Sequence, residues 1–87
     1  MNVEDIVVTE LARFCGLEKS EIVRDSWLAE FGIDSVRRIE IVISLEDALD
    51  ILVDDEDLER VVKVGDVIDL AEEKIAKRDQ HGTTAKE

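Results

Sequence analysis

The stretch Asp25-Ser26-Trp27-Leu28-Ala29-Glu30-Phe31-Gly32-Ile33-Asp34-Ser35-Val36 places one serine where a loop turns into a helix. Gly32 stands three residues before that serine, Asp34 immediately before it and the β-branched Val36 immediately after it. From Ser35 onward, apolar residues recur at helical spacing and predict a second helix from Ser35 to Leu49. At about 100° per residue they fall on two separate stripes. Ile41, Val42, Leu45 and Leu49 gather on one side. Val36, Ile39 and Ile43 gather on nearly the opposite side, flanked by Glu40 and Asp47. A helix packed on one face of a small domain needs only one such stripe. The larger stripe is therefore expected in the core and the smaller one at the surface, as an apolar contact patch. The alternative, a central helix buried on both sides, stays open at this point.

Helical rhythm continues on both sides of that segment. Val3, Ile6, Val7, Leu11 and Phe14 predict a first helix from Asn2 to Cys15, with Asn2 and Asp5 spaced as a capping box with a shortened acid. Gly16 is placed to close it. The connection Leu17 to Asp34 carries Ile22, Val23, Trp27, Leu28 and Phe31, so it is expected to pack onto the core, because a structureless loop of that length is unusual in a small domain. Asp54, Asp55, Glu56 and Asp57 before Leu58, Val61 and Val62 predict a turn or two of helix, with acids at its favoured N-terminal end. The glycine an EF-hand loop requires is missing, with Arg60 near its place, so a solvated acidic face is expected and not a metal site. A last helix from Val64 to Lys77 is expected to bury Val64, Val67, Ile68, Ala71 and Ile75, with Lys74, Lys77 and Arg78 complementing the dipole at its end. The expected architecture is all-α: a small antiparallel four-helix bundle of three main helices and one short one. It spans residues 1–78, and 79–87 form a disordered tail.

Composition narrows the function. Eighty-seven residues make one small domain with little room for a catalytic cavity. Twenty-three acids against 11 bases give a net charge of −12, which repels phosphate backbones and makes nucleic acid an unsuitable partner. Basic patches on other proteins suit it better. The chain is also 45% hydrophobic with periodic placement, which separates it from acidic disordered chains. Its single cysteine, Cys15, closes no internal disulfide and is expected to be a small buried hydrophobe. No charged leader precedes the first helix and no apolar run approaches a membrane span, so a cytoplasmic protein without a membrane span is expected.

Asp25, Leu28, Gly32, Asp34, Ser35 and Val36 fit the pattern D-x-x-L-x-x-x-G-x-D-S-[LV]. In this the chain resembles the acyl and peptidyl carrier proteins over roughly Val3 to Ile75. The resemblance implies a helical bundle whose second helix opens on a serine bearing a covalent 4′-phosphopantetheine arm, taken from coenzyme A. Ser35 is that serine by position, and Asp34 would be read with it by a phosphopantetheinyl transferase. Val36, Arg37, Ile39, Glu40, Ile43 and Asp47 would form the docking surface. Further implied partners are an acyl- or aminoacyl-loading ligase and condensing or transferring enzymes, meeting a monomeric carrier.

Serine chemistry of another kind finds no support. A nucleophilic serine needs a base and an oxyanion hole. The single histidine, His81, sits in the expected tail, and G-x-S-x-G is absent. Ser35 as a plain helix N-cap is the simpler alternative. Two departures from the resemblance stand out. Arg37 and Arg38 follow the serine, where cations oppose the helix dipole. They are placed to pair with the prosthetic phosphate, with Glu40 and Glu46, or with a partner. Lys63 stands where a capping serine or threonine is usual before the last helix. Both departures point to a dedicated pathway (polyketide, aminoacyl or specialised acyl) over housekeeping fatty-acid synthesis. The competing class is an unmodified acidic helical adaptor that binds partners through the exposed stripe.

Overall fold

Asn2 opens the first helix, α1 (Val3–Cys15): its side-chain oxygen accepts the Asp5 backbone N–H at 3.0 Å. The reciprocal half of the expected capping box is missing. The Asp5 carboxylate instead takes Lys19 Nζ at 2.6 Å and ties α1 to the following loop. Gly16 ends the helix at φ 70°, in the left-handed region that glycine enters without steric cost. The computed structural model describes residues 2–85. After α1 come two 3₁₀ turns at Lys19–Glu21 and Leu28–Phe31, then α2 (Ser35–Leu49), the short α3 (Asp55–Glu59) and α4 (Val64–Ala85). Together they form the small helical bundle expected from the sequence, and no strand occurs among the described residues.

The apolar stripes meet in one core. Val7 and Leu11 of α1, Ile41, Leu45 and Leu49 of α2, and Val64, Val67 and Ile68 of α4 are buried there. The long connection contributes Ile22, Leu28 and Ile33 to the same core. Phe31 packs against that core as expected, but the expectation for Val23 and Trp27 needs correction, because both are exposed. Trp27 instead offers its ring to Lys63 Nζ, 4.7 Å away, as a cation–π contact.

The same connection explains how α4 begins without a capping hydroxyl at Lys63. Val64 N–H donates to Ser26 O and Gly65 N–H to Arg24 O, both at 2.9 Å. One carboxylate oxygen of Asp66 accepts the N–H groups of Val62 and Lys63 at 3.0 and 2.9 Å. The orphan donors of the helix start are thereby satisfied by loop carbonyls and by an acid reaching backwards. Gly65 also lets the loop approach, since a Cβ there would sit 3.2 Å from Arg24 O.

Asp57 departs from the expected solvated acidic face. It is only 8% exposed, and its carboxylate accepts the Asp54 N–H at 3.0 Å and pairs with Arg60 at 2.7 Å and Lys74 at 2.8 Å. The three donors hold its pKa down at about 2, with the Lys74 bond contributing most. Lys74 therefore joins α4 to α3 and does not serve the dipole of its own helix. Arg78 likewise reaches across, donating to Leu49 O at 2.5 Å at the end of α2. That bond anchors the chain where the last helix was expected to stop. The α4 backbone is helical to Ala85. Residues 86–87 of the expected tail and the side chain of His81 lie outside the described residues.

Candidate functional site

Leu28 and Ile33 are 2% and 3% exposed, and they pin to the core the two ends of the turn that precedes α2. Between them Gly32 adopts φ 76° and donates its N–H to Ala29 O at 3.1 Å, closing the 3₁₀ turn. A side chain at that φ is strained, which accounts for glycine at this point of the motif. Ile33 N–H then bonds Leu28 O at 3.3 Å. Asp34 follows in extended conformation and is the N-cap of α2, its Oδ1 accepting the Arg37 N–H at 2.9 Å. Ser35 is the first residue of the helix itself.

This overturns the simpler alternative of Ser35 as the cap, since Asp34 holds that position. The Ser35 side chain is exposed, and its hydroxyl makes no hydrogen bond among the described residues. It stands at the positive end of the helix dipole, with no acidic residue in the first turn of α2. A phosphodiester on its Oγ would therefore meet open space, a favourable field and no competing hydrogen bond. Leu28, Gly32, Asp34 and Ser35 of the motif thus each have a physical task, whereas the exposed side chain of Asp25 has no partner among the described residues.

The two faces of α2 separate cleanly. Ile41, Leu45 and Leu49 are 4%, 3% and 1% exposed, whereas Val36, Ile39 and Ile43 are 65%, 47% and 58% exposed. A helix buried on both sides is excluded. Glu40 and Asp47 are exposed beside the outer stripe, so Ser35 stands at one end of an apolar strip with an acidic rim.

The two arginines part company. Arg37 is exposed and places its guanidinium 5.5 Å from the centre of the Phe14 ring at the end of α1. Arg38 turns inward: Nη1 donates to Leu58 O at 3.2 Å, linking α2 to α3. Neither pairs with Glu40 or Glu46; Glu46 instead accepts the Val53 N–H at 2.8 Å. The signal that separates the two is spacing: Arg38 stands three and seven residues before the buried Ile41 and Leu45, on the inner stripe, and Arg37 stands off it. Cys15 is half-buried, and burial raises its thiol pKa against the opposing pull of Arg37. That favours an inert packing role. Among the described residues no His, Cys, Asp and Glu cluster could hold a metal ion, and no helix is long and apolar enough to cross a membrane.

Comparison with known proteins agrees with this geometry. Residues 5–71 match the phosphopantetheine attachment site family. Over 74 residues the chain is 38% identical to the acyl carrier protein homolog of Mycoplasmopsis pulmonis, covering 85% of this chain and 97% of that protein. Over 76 residues it is 37% identical to the acyl carrier protein of an Exiguobacterium species, covering 86% and 91%. The crystal structure of an acyl carrier protein from Thermotoga maritima superposes with a TM-score of 0.65 at 24% identity, covering 82% of this chain and 93% of that one. At that identity the superposition speaks for the fold alone.

Proposed function

The chain belongs to the phosphopantetheine attachment site family of acyl carrier proteins, and on that premise we propose that Ser35 carries its 4′-phosphopantetheine arm. Once attached, the arm supplies a terminal thiol that holds an acyl group as a thioester and raises its effective concentration at partner active sites. The residues of this chain do the rest. Gly32 and Ile33 fix the approach to the helix, and Asp34 saturates the helix end so that the Ser35 hydroxyl is left for a transferase. Ser35 Oγ displaces adenosine bisphosphate from coenzyme A within that transferase and becomes the phosphodiester oxygen.

The observation that carries this reading is the pairing of a capping Asp34 with an exposed, unbonded Ser35. The outer strip of Val36, Ile39 and Ile43, with Glu40 and Asp47, is the docking surface for transferase, loading and condensing enzymes. Arg37 lies at its margin and favours a dedicated polyketide, aminoacyl or specialised acyl pathway over housekeeping synthesis. The protein is a carrier and not a catalyst, working as a monomer in the cytoplasm.

Intact-protein mass after incubation with coenzyme A and a promiscuous transferase tests the reading. One phosphopantetheine is expected on the wild-type chain and none on Ser35→Ala. Modification that survives Ser35→Ala overturns it. No modification of either chain points to the unmodified adaptor, which the same exposed strip would serve.

A further inference from the structure

On a chain with 23 acids, the half-buried Arg38 pairs with none among the described residues. Its side chain makes one hydrogen bond there, from Nη1 to Leu58 O at 3.2 Å. Nε is buried without a partner, and it is the only nitrogen of that guanidinium in such a state, so Nη2 reaches the surface with its donors free. A cation taken partly out of water ordinarily has a counter-ion or a full set of acceptors. Lys74 has one in Asp57, 2.8 Å away. Arg38 has neither.

Helix geometry says where the missing anion belongs. Side chains in an α-helix lean back towards its N-terminus, over the residues three and four before them. For Arg38 those are Ser35 and Asp34, and Asp34 is already engaged as the cap, accepting the Arg37 N–H. Arg38 lies about 300° round the helix from Ser35, on the same flank, and Arg37 about 200° round, on nearly the opposite one. Arg37 is moreover held on the Phe14 ring. Resting on Ser35 as the attachment site, we propose that Arg38 binds the phosphodiester at the root of the arm: Nη2 donates to a phosphate oxygen while Nη1 keeps Leu58 O. An anion three or four residues N-terminal to a cation is the favoured order on a helix. The planar guanidinium fork also suits a phosphate. Unpaired, that phosphate would add an anion beside Asp34 on a chain of net charge −12. Because the same guanidinium holds Leu58 O, the arm sets out along the flank of α2 that faces α3.

One experiment tests the role of Arg38 and the attachment site separately. The ¹⁵N-labelled wild type, Arg37→Gln and Arg38→Gln are each incubated with coenzyme A and a promiscuous transferase, and intact mass counts the arms attached. The Arg38 guanidinium resonances of the wild type and the melting temperatures of all three are read before and after attachment. Melting is read at low salt and at about 1 M salt, where the Debye length is about 3 Å. Attachment is expected to move the Arg38 resonances downfield and to raise wild-type melting at low salt by about 1–5 °C. That gain is expected to survive in Arg37→Gln, to vanish in Arg38→Gln and to fade at high salt. If Arg38→Gln does not fold or takes no arm, the wild-type resonances decide alone. An arm attached with unmoved Arg38 resonances, or with the same gain in melting for Arg38→Gln as for wild type, overturns the role of Arg38 and leaves the attachment site standing. An equal loss of the gain in both variants reduces the effect to net charge and overturns that role as well. No arm on the wild type overturns both.

Discussion

Asp34 Oδ1 lies 2.9 Å from the backbone nitrogen of Arg37, and this bond relieves Ser35 of any duty at the helix end. Replacing Asp34 by Ala removes the cap and is expected to cost about 0.5–2 kcal/mol. A domain of this size converts each kcal/mol into a shift of about 4–8 °C in melting temperature. Asp34→Asn keeps a capping oxygen and is expected to melt near wild type. Thermal melts of the unmodified chain check both. An Asp34→Ala variant as stable as wild type would mean that the cap contributes nothing. Slower modification of the stable Asp34→Asn variant would then isolate the part of Asp34 that the transferase reads as charge.

The division of α2 into two faces sets up a paired measurement. Leu45 is 3% exposed, and Leu45→Ala is expected to cost about 2–5 kcal/mol through lost burial and a residual cavity. Ile39 is 47% exposed, and Ile39→Ala is expected to cost roughly 0.5 kcal/mol or less. Ile39→Ala and Glu40→Lys are both expected to slow transfer or loading by partner enzymes while the denaturant midpoint barely moves. A large loss of stability in Ile39→Ala would remove the outer strip as a docking surface.

What the sequence made legible is what periodicity and local chemistry encode. The span of α2, its inner and outer stripes, the glycine stop of α1 and the serine at the head of α2 all follow from spacing. Contacts between segments distant in the chain left no such trace. Asp57 stands in an acidic run that reads as solvated surface, yet Lys74, on another helix, fixes it 2.8 Å away inside the fold. The start of α4 looked uncapped because its acceptors, Ser26 O and Arg24 O, belong to a loop some forty residues earlier. Arg37 and Arg38 differ only by the 100° that separates neighbours on a helix. That angle sends one to the Phe14 ring and the other towards Leu58 O.

The Asp57–Lys74 pair gives the fold an acid-sensitive joint. Asp57 titrates at about 2, below its ordinary value of 3.8, chiefly because Lys74 bonds its carboxylate. A carboxyl group whose pKa falls on folding stabilises the native state above its unfolded value. That contribution is lost as pH drops from about 4 towards the folded value near 2. Asp57→Asn is expected to lower stability at neutral pH by about 1–3 kcal/mol, since it leaves Lys74 without its counter-ion. The variant should also show a shallower loss of stability between those two pH values. Urea titrations across this range check it, and parallel curves for both proteins would assign the acid response to other groups.

The two arginines are expected to respond differently to charge reversal. Arg37 is exposed, and its contact with Phe14 is of the kind worth about 0.5–1 kcal/mol at a surface. Arg37→Glu forfeits that contact but replaces a cation by an anion in the first turn, which the helix dipole favours by about 0.3–1 kcal/mol. The two effects nearly offset, so the domain should melt close to wild type. Arg38→Glu has no such balance, because it loses the bond to Leu58 O and brings a carboxylate against an aliphatic cavity. It should therefore be clearly destabilised. Loading by the cognate enzyme is expected to change for Arg37→Glu, and more so at low salt, since charge at an interface rim acts through encounter and discrimination. Rates at two salt concentrations, taken with melting curves, decide the matter. Unaltered loading together with a marked fall in melting temperature for Arg37→Glu would make Arg37 a structural residue that merely clamps the end of α1 to α2.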